Sequence, residues 1–150
     1  MLLERYVYES DESFLQYEFF SDGPKGKIKK VVVYSHIGER YGENYYNIGF
    51  GDWNEEEQRI DDLTTSNNKD RDKILATVAA SALDFTDHFP KCKIYAEGST
   101  LSRTRLYQIG IATNFEEIST LFEVEGWKSD EGWVTFSKGE NYTAFLVTRR

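Results

Sequence analysis

The chain is poor in the residues that build covalent or metal-centred sites. It has one cysteine, Cys92, among 150 residues, which excludes an internal disulfide and any cysteine-based zinc site. Its two histidines, His36 and His88, lie far apart in the sequence, which argues against a histidine-rich metal site, and neither has a partner at catalytic spacing. No apolar run approaches the roughly twenty residues needed to cross a bilayer. The opening Met1-Leu-Leu-Glu-Arg-Tyr lacks the basic start and apolar stretch of a signal peptide, so a cytoplasmic protein without membrane contact is expected. Positive charge is scarce: 18 Lys and Arg face 26 Asp and Glu, for a net charge of −8. That balance opposes non-specific attraction to nucleic acid, although a local basic patch can override it.

What is abundant is aromatic side chain, with ten Phe, ten Tyr and three Trp. Large rings bury much area per residue and offset a hydrophobic fraction of only 39%. The length suits one domain with a real core. Tyr6–Tyr8, Phe14–Phe20, Ile28–Ile37 and Asn44–Gly51 read as strands separated by turns, an antiparallel meander. Residues 52–69 are polar and acidic and read as a long exposed loop. Asp70 then caps a helix whose apolar positions Ile74, Leu75, Val78, Ala82, Phe85 and Phe89 keep a helical period until Pro90. A strand at Cys92–Ala96 leads through Gly98-Ser99-Thr100 into helical periodicity from Leu106. Thr113-Asn114-Phe115-Glu116 resembles a capping box that opens a third helix. Val124–Trp127, Trp133–Phe136 and Tyr142–Val147 return to strands. The expected fold is a single α+β domain over residues 1–150, in the order β-meander, long helix, strand, helix pair, β-meander.

The densest chemistry lies in Gly98-Ser99-Thr100-Leu101-Ser102-Arg103-Thr104-Arg105. A strand-to-helix turn with hydroxyls, free amides and two guanidinium groups is how an anion site is built. Arg103 and Arg105 sit two apart, so on a regular helix they diverge by about 200°. The plainer alternative has Ser and Thr capping the helix while the arginines pair with surface carboxylates. Gly49-Phe50-Gly51-Asp52-Trp53 places Asp52 at a strand exit, as a partner for either arginine, a base, a metal ligand, or the maker of an Asx-turn. A Gly-Ser after a strand also opens nucleotidyltransferase sites, but no Asp-x-Asp follows here to hold Mg²⁺. Asp61, Asp62, Asp70 and Asp72 do not match an EF-hand and read as solvated charge. Ser99 has no His/Asp relay, and Cys92 reads as a small buried hydrophobe.

Lys25, Lys27, Lys29 and Lys30 form the one concentrated basic stretch. Alternation sends Lys30 to the face opposite the other three. With neighbouring rings they offer single-stranded nucleic acid a surface, or they guard an edge strand against aggregation.

Gly-Pro-Lys-Gly at 23–26, Asn-Ile-Gly-Phe-Gly-Asp at 47–52, Leu-Ala-Thr-Val-Ala at 75–79, Gly-Ser-Thr with Arg-Thr-Arg-Leu-Tyr at 98–107 and Tyr142-Thr-Ala-Phe-Leu-Val147 form a pattern over nearly the whole chain. In it the chain resembles a family of small, uncharacterised bacterial proteins with no established activity. The resemblance implies a bacterial, cytoplasmic, single-domain protein and names no reaction, ligand or cofactor.

The leading expectation is a non-enzymatic module that binds a protein partner or a small, phosphate-bearing anion through Gly98, Ser99, Thr100, Arg103, Arg105 and Asp52. Neither a catalytic residue, a metal nor a cofactor is called for. The alternatives are single-stranded nucleic-acid binding through Lys25, Lys27, Lys29 and Lys30, and an enzyme acting on a phosphate-bearing substrate. Acidic charge and exposed rings leave room for a homodimer without specifying its interface.

Overall fold

A computed structural model describes residues 4–61 and 67–150. Within them the chain forms nine strands and three helices, β1 (Glu9–Ser10), β2 (Gln16–Gly23), β3 (Gly26–Arg40), β4 (Glu43–Asn54), β5 (Arg59–Asp61), α1 (Arg71–His88), β6 (Cys92–Ala96), α2 (Leu101–Thr113), α3 (Phe115–Leu121), β7 (Phe122–Lys128), β8 (Gly132–Thr135) and β9 (Phe145–Arg149). The strands make one mixed sheet in the order β1-β2-β3-β4-β6-β9-β7-β8, with β5 also on β4. The pairs are antiparallel except β4 with β6, which run parallel because α1 carries the chain back between them. This is the α+β architecture expected. The last strand, β9, inserts between β6 and β7.

Alternation along the strands sends one set of side chains to the helices. Tyr17, Phe19, Val32, Tyr34, Ile48, Phe50, Ile94, Phe122, Val124 and Phe145 meet Leu75, Val78, Phe85, Ile111 and Ile118 in one buried cluster. Tyr34 and Phe85 stack at 4.1 Å, and the Tyr34 hydroxyl meets Ser81 Oγ at 2.8 Å, so this buried polar group has its partner. An apolar pocket of about 80 Å³ remains between Leu75, Ala79, Gly110, Ile118 and the sheet.

Several local expectations are corrected. Tyr6–Tyr8 form no strand; their rings pack on Phe19 and Tyr17 instead of pairing backbone. The described part of the expected loop 52–69 holds the end of β4 and β5, because Glu55–Gln58 is a turn that folds the acidic run back as a hairpin. Asp62, with residues 63–66, lies outside the described residues. β3 is flanked by β2 and β4, so its lysines guard no edge. The capping box at Thr113–Glu116 does not form: Asn114 sits at the start of α3 and its side-chain amide donates to the Gly110 carbonyl at 2.8 Å. Cys92 is buried at the start of β6. Among the described residues no helix is long and apolar enough to cross a membrane.

Candidate functional site

α2 begins at Leu101, earlier than its apolar period, because Thr100 supplies the cap: its Oγ1 accepts from the Arg103 amide at 3.2 Å. Gly98 serves close approach and not a left-handed backbone. A Cβ there would lie 2.3 Å from Arg103 Cβ and 2.4 Å from the Thr104 amide nitrogen. Its own amide donates to Thr104 Oγ1 at 3.0 Å, and that hydroxyl donates on to the Thr100 carbonyl at 3.2 Å. Part of the corner's donor capacity is therefore used to seat α2 on β6. Ser99 and Thr100 remain exposed.

Both arginines fall within the regular helix and diverge. Arg105 is exposed, whereas Arg103 is half-buried, its guanidinium 5.9 Å from the Phe50 ring and within 3.4 Å of the Asp61 carbonyl. Arg103 borders two hollows. One is small, about 80 Å³, and lies against Gly98, Ser99, Asn47 and Tyr107. The other, about 220 Å³, is walled by Phe50, Ile74, Leu75 and Leu106 and carries Lys30, Lys69, Asp70 and Arg71.

Asp52 does not serve the arginines. It faces Lys30 directly across the β3–β4 ladder, and the two form an ion pair whose side chains are only 16% and 7% exposed. Lys30 is thus the inward lysine that alternation requires. Lys25 and Lys27 are exposed near the β2–β3 turn, while Lys29 pairs with Glu18 at 3.1 Å and stands 5.5 Å over the Trp53 ring. The four lysines therefore do not share one surface.

The larger hollow is shaped by a network that local sequence patterns do not reveal. Asp70 precedes α1, as expected, but its carboxylate makes no cap. Instead Oδ2 accepts from the Tyr6 hydroxyl and from Ser21 Oγ, both at 2.5 Å, while Oδ1 is buried without a hydrogen-bond partner. Burial and the Asp70 bond push the Tyr6 hydroxyl up from its ordinary pKa. Asn68, buried, donates to Ser21 Oγ and the Gly26 carbonyl and accepts from the Lys25 amide at 2.7 Å. On either side of it Asn67 and Lys69 adopt left-handed backbone, with φ of 47° and 60°. The β2–β3 turn and the N-terminal segment are thereby pinned to the start of α1, leaving Lys69 and Arg71 at the hollow's rim. The partners are 42 to 64 residues apart. By composition Asn67 and Asn68 belong to an exposed loop, whereas Asn68 is buried; the one local signal at this place is that Asn tolerates left-handed backbone.

Neither histidine reaches this site: His36 meets Asn44 Oδ1 at 2.9 Å and His88 stacks on Phe14 at 3.7 Å. Among the described residues no three His, Cys, Asp or Glu side chains gather in a way that could hold a metal ion.

The fold and the hollow define a single α+β domain with a three-helix layer over its sheet and a cation-lined cleft beside the start of its longest helix. The profile of a family of unknown function, DUF6934, matches residues 2–150, and the chain belongs to that family. No curated protein and no solved structure matches it.

Proposed function

We propose that this protein is a binding module for a small, phosphate-bearing anion with an apolar portion, taken in the cleft between the starts of α1 and α2. One observation carries the reading. In a chain of net charge −8, four cationic side chains, Lys30 of β3, Lys69 before α1, Arg71 of α1 and Arg103 of α2, line one cleft in which Asp70 is the carboxylate among the described lining residues, with Asp52 paired to Lys30 and Asp72 to Arg71 beside it. Such local reversal of sign is how an acidic protein attracts an anion. Arg103 is the residue through which the Gly98 turn contributes, since α2 carries it from that corner to the cleft. Its planar fork suits phosphate oxygens. The start of α1 adds the positive end of its dipole, with the Asp70 carboxylate turned toward Tyr6 and Ser21 and Arg71 lying 3.3 Å from Asp72. The apolar wall of Phe50, Ile74, Leu75 and Leu106 suits the non-phosphate part of the ligand.

A thermal-shift screen of inorganic phosphate, nucleotides and phosphorylated metabolites tests this. A ligand at one hundred times its dissociation constant adds about 2.7 kcal/mol, which for a domain of this size raises Tm by about 5–11 °C. The shift is expected to shrink sharply in Arg103→Ala and Arg71→Ala and to persist in Arg105→Ala. No shift with any compound, or a shift indifferent to Arg103 and Arg71, overturns the proposal.

A further inference from the structure

The sheet face turned away from the helices carries a second hollow, of about 530 Å³, which owes nothing to the anion cleft. Its floor is set by alternation. Tyr95, Leu146 and Glu125 lie side by side across β6, β9 and β7, and Tyr45 stands beside Lys93 across β4 and β6. Trp133 on β8 closes one side, edge-on to Tyr95 at 6.1 Å and to Trp127 at 5.4 Å. The other side is the far end of the β3–β4 hairpin. A register shift between His36 and Gly38 bends that arm, and Ile37 through Tyr41 line the hollow.

The hairpin tip is built against its own preference. Arg40 pairs with Glu43, so Tyr41 and Gly42 form a two-residue turn, with φ of 54° and 78°. Turns of this kind favour Asn-Gly or Asp-Gly because both residues need positive φ, and a bulky residue there costs on the order of 1–2 kcal/mol. Tyr41 is 91% exposed, and among the described residues its ring meets the Arg40 guanidinium alone, at 5.5 Å. Within the fold little offsets the strain. A tyrosine kept in such a turn, at the lip of a hollow already lined by Tyr45, Tyr95 and Trp133, is placed for something outside the chain.

We infer that this hollow is a binding site for a neutral saccharide of one or two rings. The aromatic faces offer flat, electron-rich surfaces to the C–H faces of a sugar ring. Among the lining residues Arg40 and Lys93 stand against Glu39 and Glu125, and Lys93 is also 3.9 Å from Glu43, so no excess of positive charge calls for an anion. A neutral partner rich in hydroxyls can use both donors and acceptors. Among the described residues, Glu39, Glu125 and the Tyr45 hydroxyl make no side-chain hydrogen bond or ion pair, so that capacity is uncommitted. An extended peptide finds no strand edge on the floor, since β4, β6, β9 and β7 are each paired on both sides; the edge strand at the side, β8, is only four residues long. Nucleic acid would need a positive track for its phosphates. The volume falls in the range of small-ligand sites.

Saturation-transfer NMR and tryptophan fluorescence with glucose, galactose, N-acetylglucosamine, maltose, cellobiose, lactose and diacetylchitobiose at millimolar concentration test the assignment. At least one sugar is expected to receive saturation on its ring protons and to shift the emission. Trp133→Ala is expected to weaken it at least tenfold. Tyr41→Asn provides the discriminating variant, because it restores the residue the turn favours: affinity is expected to fall while Tm stays level or rises. Arg103→Ala, at the other site, is expected to leave sugar binding unchanged. Saturation of none of the seven sugars, binding indifferent to both Tyr41 and Trp133, or preference for a single-stranded oligonucleotide at this face overturns the inference.

Discussion

Removing the Asp52 carboxylate while keeping Lys30 probes the step on which the anion cleft depends, the burial of a positive charge beneath it. The Lys30 side chain is only 7% exposed, and its partner sits directly opposite on β4. Taking one member from a buried ion pair strands the other in a medium that solvates it poorly, at a cost of about 3–5 kcal/mol. Lys30 makes contacts beyond Asp52, which places Asp52→Ala at the lower end, near 3 kcal/mol. For 150 residues a kilocalorie moves Tm by about 2–4 °C, so a loss of about 6–12 °C is expected in calorimetry, with a matching drop in the urea midpoint. Added salt is expected to recover little of it, because screening acts weakly on a pair withdrawn from solvent. The double variant Lys30→Met with Asp52→Leu removes both charges next to Phe19 and Phe50 and is expected to regain most of the stability. It should at the same time weaken phosphate binding. A Tm for Asp52→Ala within 2 °C of the unsubstituted protein, or a double variant less stable than the single one, would refute the reasoning.

Gly98→Ala drives a methyl against Arg103 Cβ and the Thr104 amide nitrogen, helix backbone that cannot yield easily; a loss of about 1–3 kcal/mol, read by thermal melting, should accompany weaker phosphate binding as α2 shifts. Gly126→Ala, whose Cβ would lie 2.3 Å from Tyr142 Cδ1, should cost a similar amount without touching either site. Thr104→Val strips the acceptor from the Gly98 amide and should cost about 1–3 kcal/mol by urea unfolding. Stability should also fall on the alkaline side. Burial pushes the Cys92 thiol up to about 11, and burial with the Glu97 carboxylate pushes the Tyr95 hydroxyl up to about 12. The folded state holds both protons longer than the unfolded chain, which loses them near about 8.5 and 10. Their contribution is therefore complete below about pH 8.5 and disappears as pH rises through 11 to 12. Melts from pH 8 to 12 check this, and Cys92→Ala should flatten the lower part of the decline.

Local patterns were readable where one element carries its own signal. The apolar period from Ile74 to Phe85 defines α1 because every member meets the same face of the sheet. The inward direction of Lys30 follows from period two alone. What escaped reading depends on partners far away in sequence. Asp70 looks like a cap, but Tyr6 and Ser21 compete for its carboxylate, and nothing near residue 70 announces them. Asp52 looks available to an arginine until the β3–β4 register sets it against Lys30. Tyr6 and Tyr8 have strand-like composition and lend their rings to the core without joining the ladder. Glu55–Gln58 is as polar as any loop and proves to be a turn, because polarity tells only that backbone meets water.

The distribution of backbone strain separates structural from functional turns. Among the described residues five non-glycine residues hold positive φ: Phe14, Tyr41, Gln58, Asn67 and Lys69. Phe14 gains a ring stacked on His88 with planes 9° apart. Gln58 gains a bond from its side-chain amide to the Glu55 carbonyl at 2.6 Å. Asn67 and Lys69 enclose Asn68, whose side chain makes three hydrogen bonds that anchor the β2–β3 turn. In each of these the fold supplies an interaction comparable to the cost. Tyr41 is different, for its ring stands in solvent with an exposed arginine beside it. A free chain gains by losing that tyrosine, so its presence is explained by a bound state in which the ring is covered. A higher melting temperature for Tyr41→Asn in the absence of sugar, reversed when sugar is present, is the signature of that trade. Equal stability in both conditions would make the turn an accident of sequence and leave the hollow without its best witness.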